Sequence, residues 1–186
     1  MKFENEVMKK TKIFNEERLL KLVVNWFSRN NHNTSPVNLR FNESTRWYTE
    51  ALLQPPFLDV EGIREGYTNA DCVIGDFNIG EGNNKGKLIL VNDCKKFIVI
   101  ESKLGSELSK GVSNNKEYNQ AARNVVCLIH NLIKSKISVT EVENIGFYVL
   151  APKAKKDRFN KFLMKEDIKA SIENRIKDYK NYMETI

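Results

Sequence analysis

The run Lys96 to Lys103 (KFIVIESK) is apolar and β-branched from Phe97 to Ile100, then passes straight into Glu101-Ser102-Lys103. Side chains two apart on a strand share a face, so Glu101 and Lys103 are expected to project together at the edge of a buried sheet. A carboxylate there can bind a hard cation, and an ammonium beside it can orient an attacking water or stabilise phosphate charge, the parts of metal-assisted hydrolysis. A lone E-x-K is usually no more than an exposed strand-end ion pair worth about 0–1 kcal/mol. A second carboxylate on a neighbouring strand separates the two readings, and Asp71 opens the strand-like run Asp71 to Ile79 (DCVIGDFNI). If that run pairs antiparallel with 96–103, Asp71 falls near Glu101 and Lys103, and the run Lys87 to Val91 is a side excursion. If 87–91 lies between them, the two carboxylates sit at opposite ends and the site does not form. Asp76 is the rival carboxylate, mid-strand and of opposite side-chain parity to Asp71.

The elements that must position these groups follow from periodicity and turn chemistry. Asn15 to Arg29 is an amphipathic helix with Leu19, Leu20, Val23, Trp26 and Phe27 at helical spacing, followed by a polar turn over Asn30 to Pro36. A second helix is predicted from Ser44 as N-cap, carrying Trp47, Tyr48, Ala51 and Leu52 and stopped by Pro55-Pro56. At most one short strand, Phe57 to Val60, lies in the loop that follows. After the strands, Asn115 to Lys134 reads as a long helix with a stripe through Tyr118, Ala121, Ala122, Val125, Ile129, Leu132 and Ile133. Ile145 to Leu150 is a buried strand, and the tail from Asp157 to about Met183 is one basic amphipathic helix or a pair. The last strand follows a helical crossover and can lie parallel to an earlier one. The expectation is an α/β fold: a mixed sheet with helices on both faces.

At 186 residues, 41% hydrophobic and 29% charged, the chain suits one domain over 1–186 with a full core. No apolar run approaches the roughly 18 residues of a membrane span, and Met1 to Phe14 lacks the apolar stretch of a signal peptide, so a cytoplasmic protein is expected. Cys72, Cys94 and Cys127 are widely spaced and form no close pair, and with only His32 and His130 beside them they read as reduced, mostly core cysteines rather than a zinc site. The net charge is +6, and residues 151–186 hold ten Lys/Arg against six Asp/Glu, compatible with phosphate-backbone contact or with a solvated helix face. There is no G-x-x-x-x-G-K-[ST] and no G-x-S-x-G, which sets aside P-loop nucleotide enzymes and serine hydrolases of that type.

Three stretches, Asn69-Ala70-Asp71-Cys72-Val73-Ile74-Gly75, Val99-Ile100-Glu101-Ser102-Lys103-Leu104 and Tyr118-Asn119-Gln120-Ala121-Ala122-Arg123, in this order among helix and strands, resemble the PD-(D/E)XK nuclease superfamily. The resemblance covers roughly residues 44–152; Ala70 stands where the motif has Pro. It implies a three-layer restriction-endonuclease-like core, α-β-β-β-α-β, with extra N- and C-terminal helices. It also implies Mg²⁺ or Mn²⁺ held by Asp71, Glu101 and the backbone carbonyl of Ser102, with Lys103 on the nucleophilic water. Many members add an acid from the preceding helix, here Glu50 with Glu43 as rival, and some a Gln on the following helix, here Gln120. A helical wheel sets Gln120 off the apolar stripe, beside Asn124 and Cys127, and Arg123 is the alternative on that helix, as a phosphate contact. The implied partner is nucleic acid, DNA before RNA, with a homodimer left open. The alternatives are a catalytically idle nucleic-acid-binding or scaffold domain that keeps the fold, and an unrelated α/β domain with a coincidental E-x-K.

Overall fold

A computed structural model describes residues 15–30, 39–61, 63–111 and 115–185. Helix α1 (Glu16–Arg29) starts where Asn15 accepts the Glu17 N–H on its side chain (2.9 Å), with Glu16 and Glu17 in the first turn and Arg29 in the last, each favourable to the helix dipole. Its buried residues are Leu20 and Val24, whereas Trp26 is half exposed, so the buried stripe is narrower than the sequence pattern suggests. The polar turn expected over 30–36 and the segment Met1 to Phe14 fall on residues outside those described, apart from Asn30, which closes α1 by donating to the Trp26 carbonyl.

The segment predicted as a second helix is a strand, β1 (Arg46–Leu53). Trp47, Tyr48 and Thr49 are strand-favouring residues, and half of the segment alternates in exposure as a half-buried strand must. Apolar residues at 47, 48, 51 and 52 satisfy either period, and Pro55-Pro56 stops either element. Ser44 caps no helix; its hydroxyl donates to Asn42 and Asp76. Residues 56–59 form turns and Val60 has no regular structure, so the strand expected at 57–60 is absent.

Strand β2 (Thr68–Gly75) begins three residues before Asp71, and the expected long strand breaks at Asp76 into a separate β3 (Phe77–Ile79). The break has a local cause. Gly75 has φ +153°, and a Cβ there would lie 2.0 Å from the Lys96 carbonyl oxygen, so only glycine fits. Asp76 then turns its carboxylate onto the N–H groups of Lys95 and Lys96 (both 2.9 Å). Among the described residues strand β4 (Leu88–Leu90) pairs only with β3, as a small hairpin touching β1 through Leu52 and Lys87.

Strand β5 (Lys96–Ser102) therefore lies directly against β2, antiparallel, with Cys72 opposite Ile100 and Gly75 opposite Phe97. This is the pairing the site requires, with 87–91 as the side excursion. Helix α2 (Gln120–Lys134) starts five residues later than predicted because Asn119 caps it, accepting the Ala122 N–H at 2.9 Å. It leads to β6 (Asn144–Leu150), parallel to β5. The sheet order is β1-β2-β5-β6. One face packs Ala70, Val73, Phe97 and Val99 against Cys127, Leu128 and Leu132 of α2; the other packs Cys72, Ile74, Ile98 and Ile100 against Leu20 and Val24 of α1. The fold is α/β, a mixed four-stranded sheet covered by helices on both faces. The tail is a pair of helices, α3 (Lys156–Leu163) and α4 (Lys165–Thr185). Among the described residues no helix is long and apolar enough to cross a membrane.

Candidate active site

The chemistry-bearing groups gather where β5 ends. All seven residues of β5 are buried, including Glu101 (3% exposed) and Ser102 (1%). Strand parity carries Glu101 and Lys103 to one face, and Lys103 Nζ lies 2.9 Å from Glu101 Oε1. Continuing the β2–β5 ladder one step beyond Cys72–Ile100 sets Asp71 opposite Glu101. There Asp71 Oδ2 accepts the backbone N–H of Ser102 at 2.7 Å. Gln120, the first residue of α2, reaches the same carboxylate: its Nε2 donates to Glu101 Oε1, while its Oε1 accepts the Ser109 N–H (3.2 Å). Asp71, Glu101, Ser102, Lys103 and Gln120 are thus one connected cluster.

Burial and like charge act against ionisation here. Burial raises the Glu101 pKa, the neighbouring Asp71 charge raises it further, and Lys103 and Gln120 oppose both. Burial likewise raises that of Asp71, outweighing the Ser102 N–H and Lys103, with the Glu16 charge adding to the rise. Among the described residues Glu101 Oε2, which is buried, has no hydrogen-bond partner, although Oε1 has two. An unpartnered carboxylate oxygen in a cluster that holds a second carboxylate suits a hard cation, whose preferred ligands are oxygens. Among the described residues no three His, Cys, Asp or Glu side chains are grouped as a metal cage. The oxygen donors on hand are Asp71, Glu101 and the Ser102 carbonyl, and this set fits Mg²⁺ or Mn²⁺.

The remaining expected residues are not bonded into this cluster. Glu50 is on strand β1, not on a helix; it is exposed and its carboxylate accepts from Asn69 Nδ2. Its register sets it across from Asp71, between the Thr49–Cys72 and Ala51–Ala70 pairs, and its φ is +61°. Glu43 is exposed in the turn before β1. Arg123 is turned to structural partners: Nη2 donates to the Gly66 carbonyl (2.9 Å) and Nε lies 3.6 Å from Glu65 Oε2. Asp76 is spent on backbone N–H groups away from the cluster.

One acid was not anticipated. Glu16, at the start of α1, accepts on Oε1 from the N–H groups of Leu104 (2.7 Å) and Gly105 (3.3 Å) and from the Ser106 hydroxyl (3.1 Å). Its backbone carbonyl accepts the Ser102 hydroxyl (3.4 Å). Burial alone would raise its pKa, but these donors and the Lys103 charge together hold it below the usual carboxylate value. Glu16 therefore pins the loop that follows Lys103. The only sequence signal for it is an acid one residue past a helix cap, which is too common to single out.

The chain matches no protein family, no curated protein and no solved structure.

Proposed function

We propose that the chain is a metal-dependent nuclease of the PD-(D/E)XK type, built on a restriction-endonuclease-like core and acting in the cytoplasm on nucleic acid, DNA before RNA. The observation that carries the reading is the meeting of Asp71, Glu101 and Lys103 at one strand end, with Gln120 bonded to Glu101 and one Glu101 oxygen left without a partner among the described residues.

Asp71 and Glu101, with the Ser102 carbonyl, would hold Mg²⁺ or Mn²⁺. When bound, such an ion lowers the pKa of a water and offsets charge on the phosphate. The chain's own groups do the rest. Lys103, 2.9 Å from Glu101, is close enough to hold a water against the carboxylate and to stabilise charge growing on the phosphoryl oxygens. Gln120 fixes the rotamer of Glu101 and stays neutral at every working pH, so it orients without adding charge. Glu16 fixes the backbone just after Lys103.

The test is cleavage of supercoiled plasmid, single-stranded DNA and RNA with Mg²⁺, Mn²⁺ or EDTA, for the wild type beside Lys103→Ala. Cutting that needs the metal and disappears in the folded variant is expected, and it identifies the substrate class. A folded Lys103→Ala protein with undiminished cutting would refute the site. DNA retarded on a gel but never cut would leave the idle binding domain.

A further inference from the structure

Beyond β6 the chain turns at Pro152 and enters a short run of unusual charge. Lys153, Lys155, Lys156, Arg158 and Lys161 stand against a single acid, Asp157, within residues 153–161. We propose that this face is where the phosphate backbone of a bound nucleic acid is gripped, an assignment that takes its partner from the nuclease reading above.

Position is the first argument. Because β5 and β6 are parallel and in register, their C-terminal ends share one edge of the sheet, and the Lys103 N–H donates to the Leu150 carbonyl at 2.8 Å. The basic run starts three residues further on, at the Lys103 end. Lys155 Nζ donates to the Leu104 carbonyl and, with Glu16, Leu104, Gly105 and Pro152, lines an open cleft beside the cluster. Helix α3 turns Phe159 and Phe162 inward onto Leu108 and Ala121, the second of which adjoins Gln120. Its outer face therefore presents cations beside the catalytic edge.

The charge is also uncompensated. Lys153, Lys156, Arg158 and Lys161 are exposed, and among the described residues none has an ion-pair partner. On α4, by contrast, Lys169 has Glu173 one turn on, 3.7 Å away. Among the described residues Asp157 accepts only from Asn160 (3.3 Å). Like charges held this close repel one another, and a polyanion relieves that repulsion while releasing counterions. An anionic membrane offers charge too, but a helix seated on one would put apolar side chains into it, and the α3 phenylalanines are buried in protein. Eight residues of helix span about 12 Å, enough to follow roughly three phosphates of one strand.

The experiment is fluorescence anisotropy with a labelled DNA duplex of about 20 base pairs, and with one of its strands alone, in EDTA from about 50 to about 200 mM salt. Lys153→Glu/Lys156→Glu is compared with Lys177→Glu/Lys180→Glu, which changes the net charge equally on the distal part of α4. The patch variant should bind about tenfold or more weakly, with the salt slope reduced by about 2, while the control stays within about twofold of wild type. Equal losses in both variants, or none in either, would overturn the assignment. So would a patch variant that keeps DNA binding but loses affinity for vesicles of anionic phospholipid. Cleavage by the wild type with unchanged binding in the patch variant sinks this inference alone. Patch-dependent binding without any cleavage by the wild type sinks the nuclease reading alone.

Discussion

Asp71 and Glu101 are two like charges held close in surroundings that favour neither ionised form. Both pKa values lie above the ordinary 3.8 and 4.5, so the fold binds these protons more tightly than the unfolded chain does. The stabilisation is then fully present below the unfolded values and is lost as pH rises through the raised ones. As pH rises toward neutrality the metal-free protein loses this stabilisation. Asp71→Asn keeps an oxygen for the Ser102 N–H and removes one charge. It should melt above wild type in EDTA at neutral pH, with the difference vanishing toward acid. Added Mg²⁺ should raise the wild-type stability at neutral pH by about 1.4 kcal/mol at ten times its Kd, and should do nothing for the variant. A variant that melts lower at neutral pH, or responds equally to Mg²⁺, would remove the electrostatic basis of the site. At this scale Glu101 and Lys103 are legible because parity acts within three residues. Gln120 is reached only through the resemblance and not from periodicity, because the buried face of α2 includes Asn124 and Asn131, whose amides donate to the Gln120 carbonyl and to those of Gln54 and Cys127. An apolar wheel reads that side as solvent.

Strand β1 shows how an element is misread and what the misreading hides. Its apolar spacing fits two periods, and only the neighbouring strand decides between them. Glu50 then takes φ +61° in the middle of that strand, a left-handed conformation costing a non-glycine residue about 1–2 kcal/mol. The register places this strain across from Asp71, and strain of this kind tends to sit at functional sites. Glu50→Gly should relieve it, giving a net gain of up to about 1 kcal/mol after the added flexibility of glycine. Glu50→Ala keeps the strain and loses the contact to Asn69, so it should gain nothing. Urea denaturation of the two variants is the check, and equal midpoints would show that the backbone there is unstrained. The pairing of β2 with β5 could be stated from sequence only as a condition. The register is set by Gly75 and Asp76 closing against Lys96, contacts that span 20 residues or more of chain.

Across the whole molecule, the parts outside the expected core hold the site in shape. Helix α1 delivers Glu16 to the loop after Lys103, across 88 residues of sequence, a distance at which no local pattern can reveal the contact. Helix α4 delivers Ser171, whose hydroxyl accepts the Asn119 N–H (2.9 Å) and donates to the Glu117 carbonyl (2.7 Å), fixing the start of α2 from which Gln120 extends. One turn on, Arg175 is 2% exposed; it pairs with Glu65 Oε1 at 2.6 Å, donates to the Ile63 carbonyl at 2.7 Å and lies over the Phe57 ring. Such a buried pair contributes little net stability over a well-packed apolar replacement, yet removing one partner strands the other charge. Arg175→Met should therefore cost about 3–5 kcal/mol, toward the lower figure because Arg123 remains 3.6 Å from Glu65. Adding Glu65→Gln to that variant should restore part of the loss, since no full charge is then left buried. Lys169→Met, on the same helix but in an exposed pair, should change stability by less than about 1 kcal/mol. Urea midpoints of the three variants read this directly. An Arg175→Met protein as stable as Lys169→Met would mean that α4 rests on the domain without supporting it, and the link from Ser171 through Asn119 to Gln120 would lose its anchor.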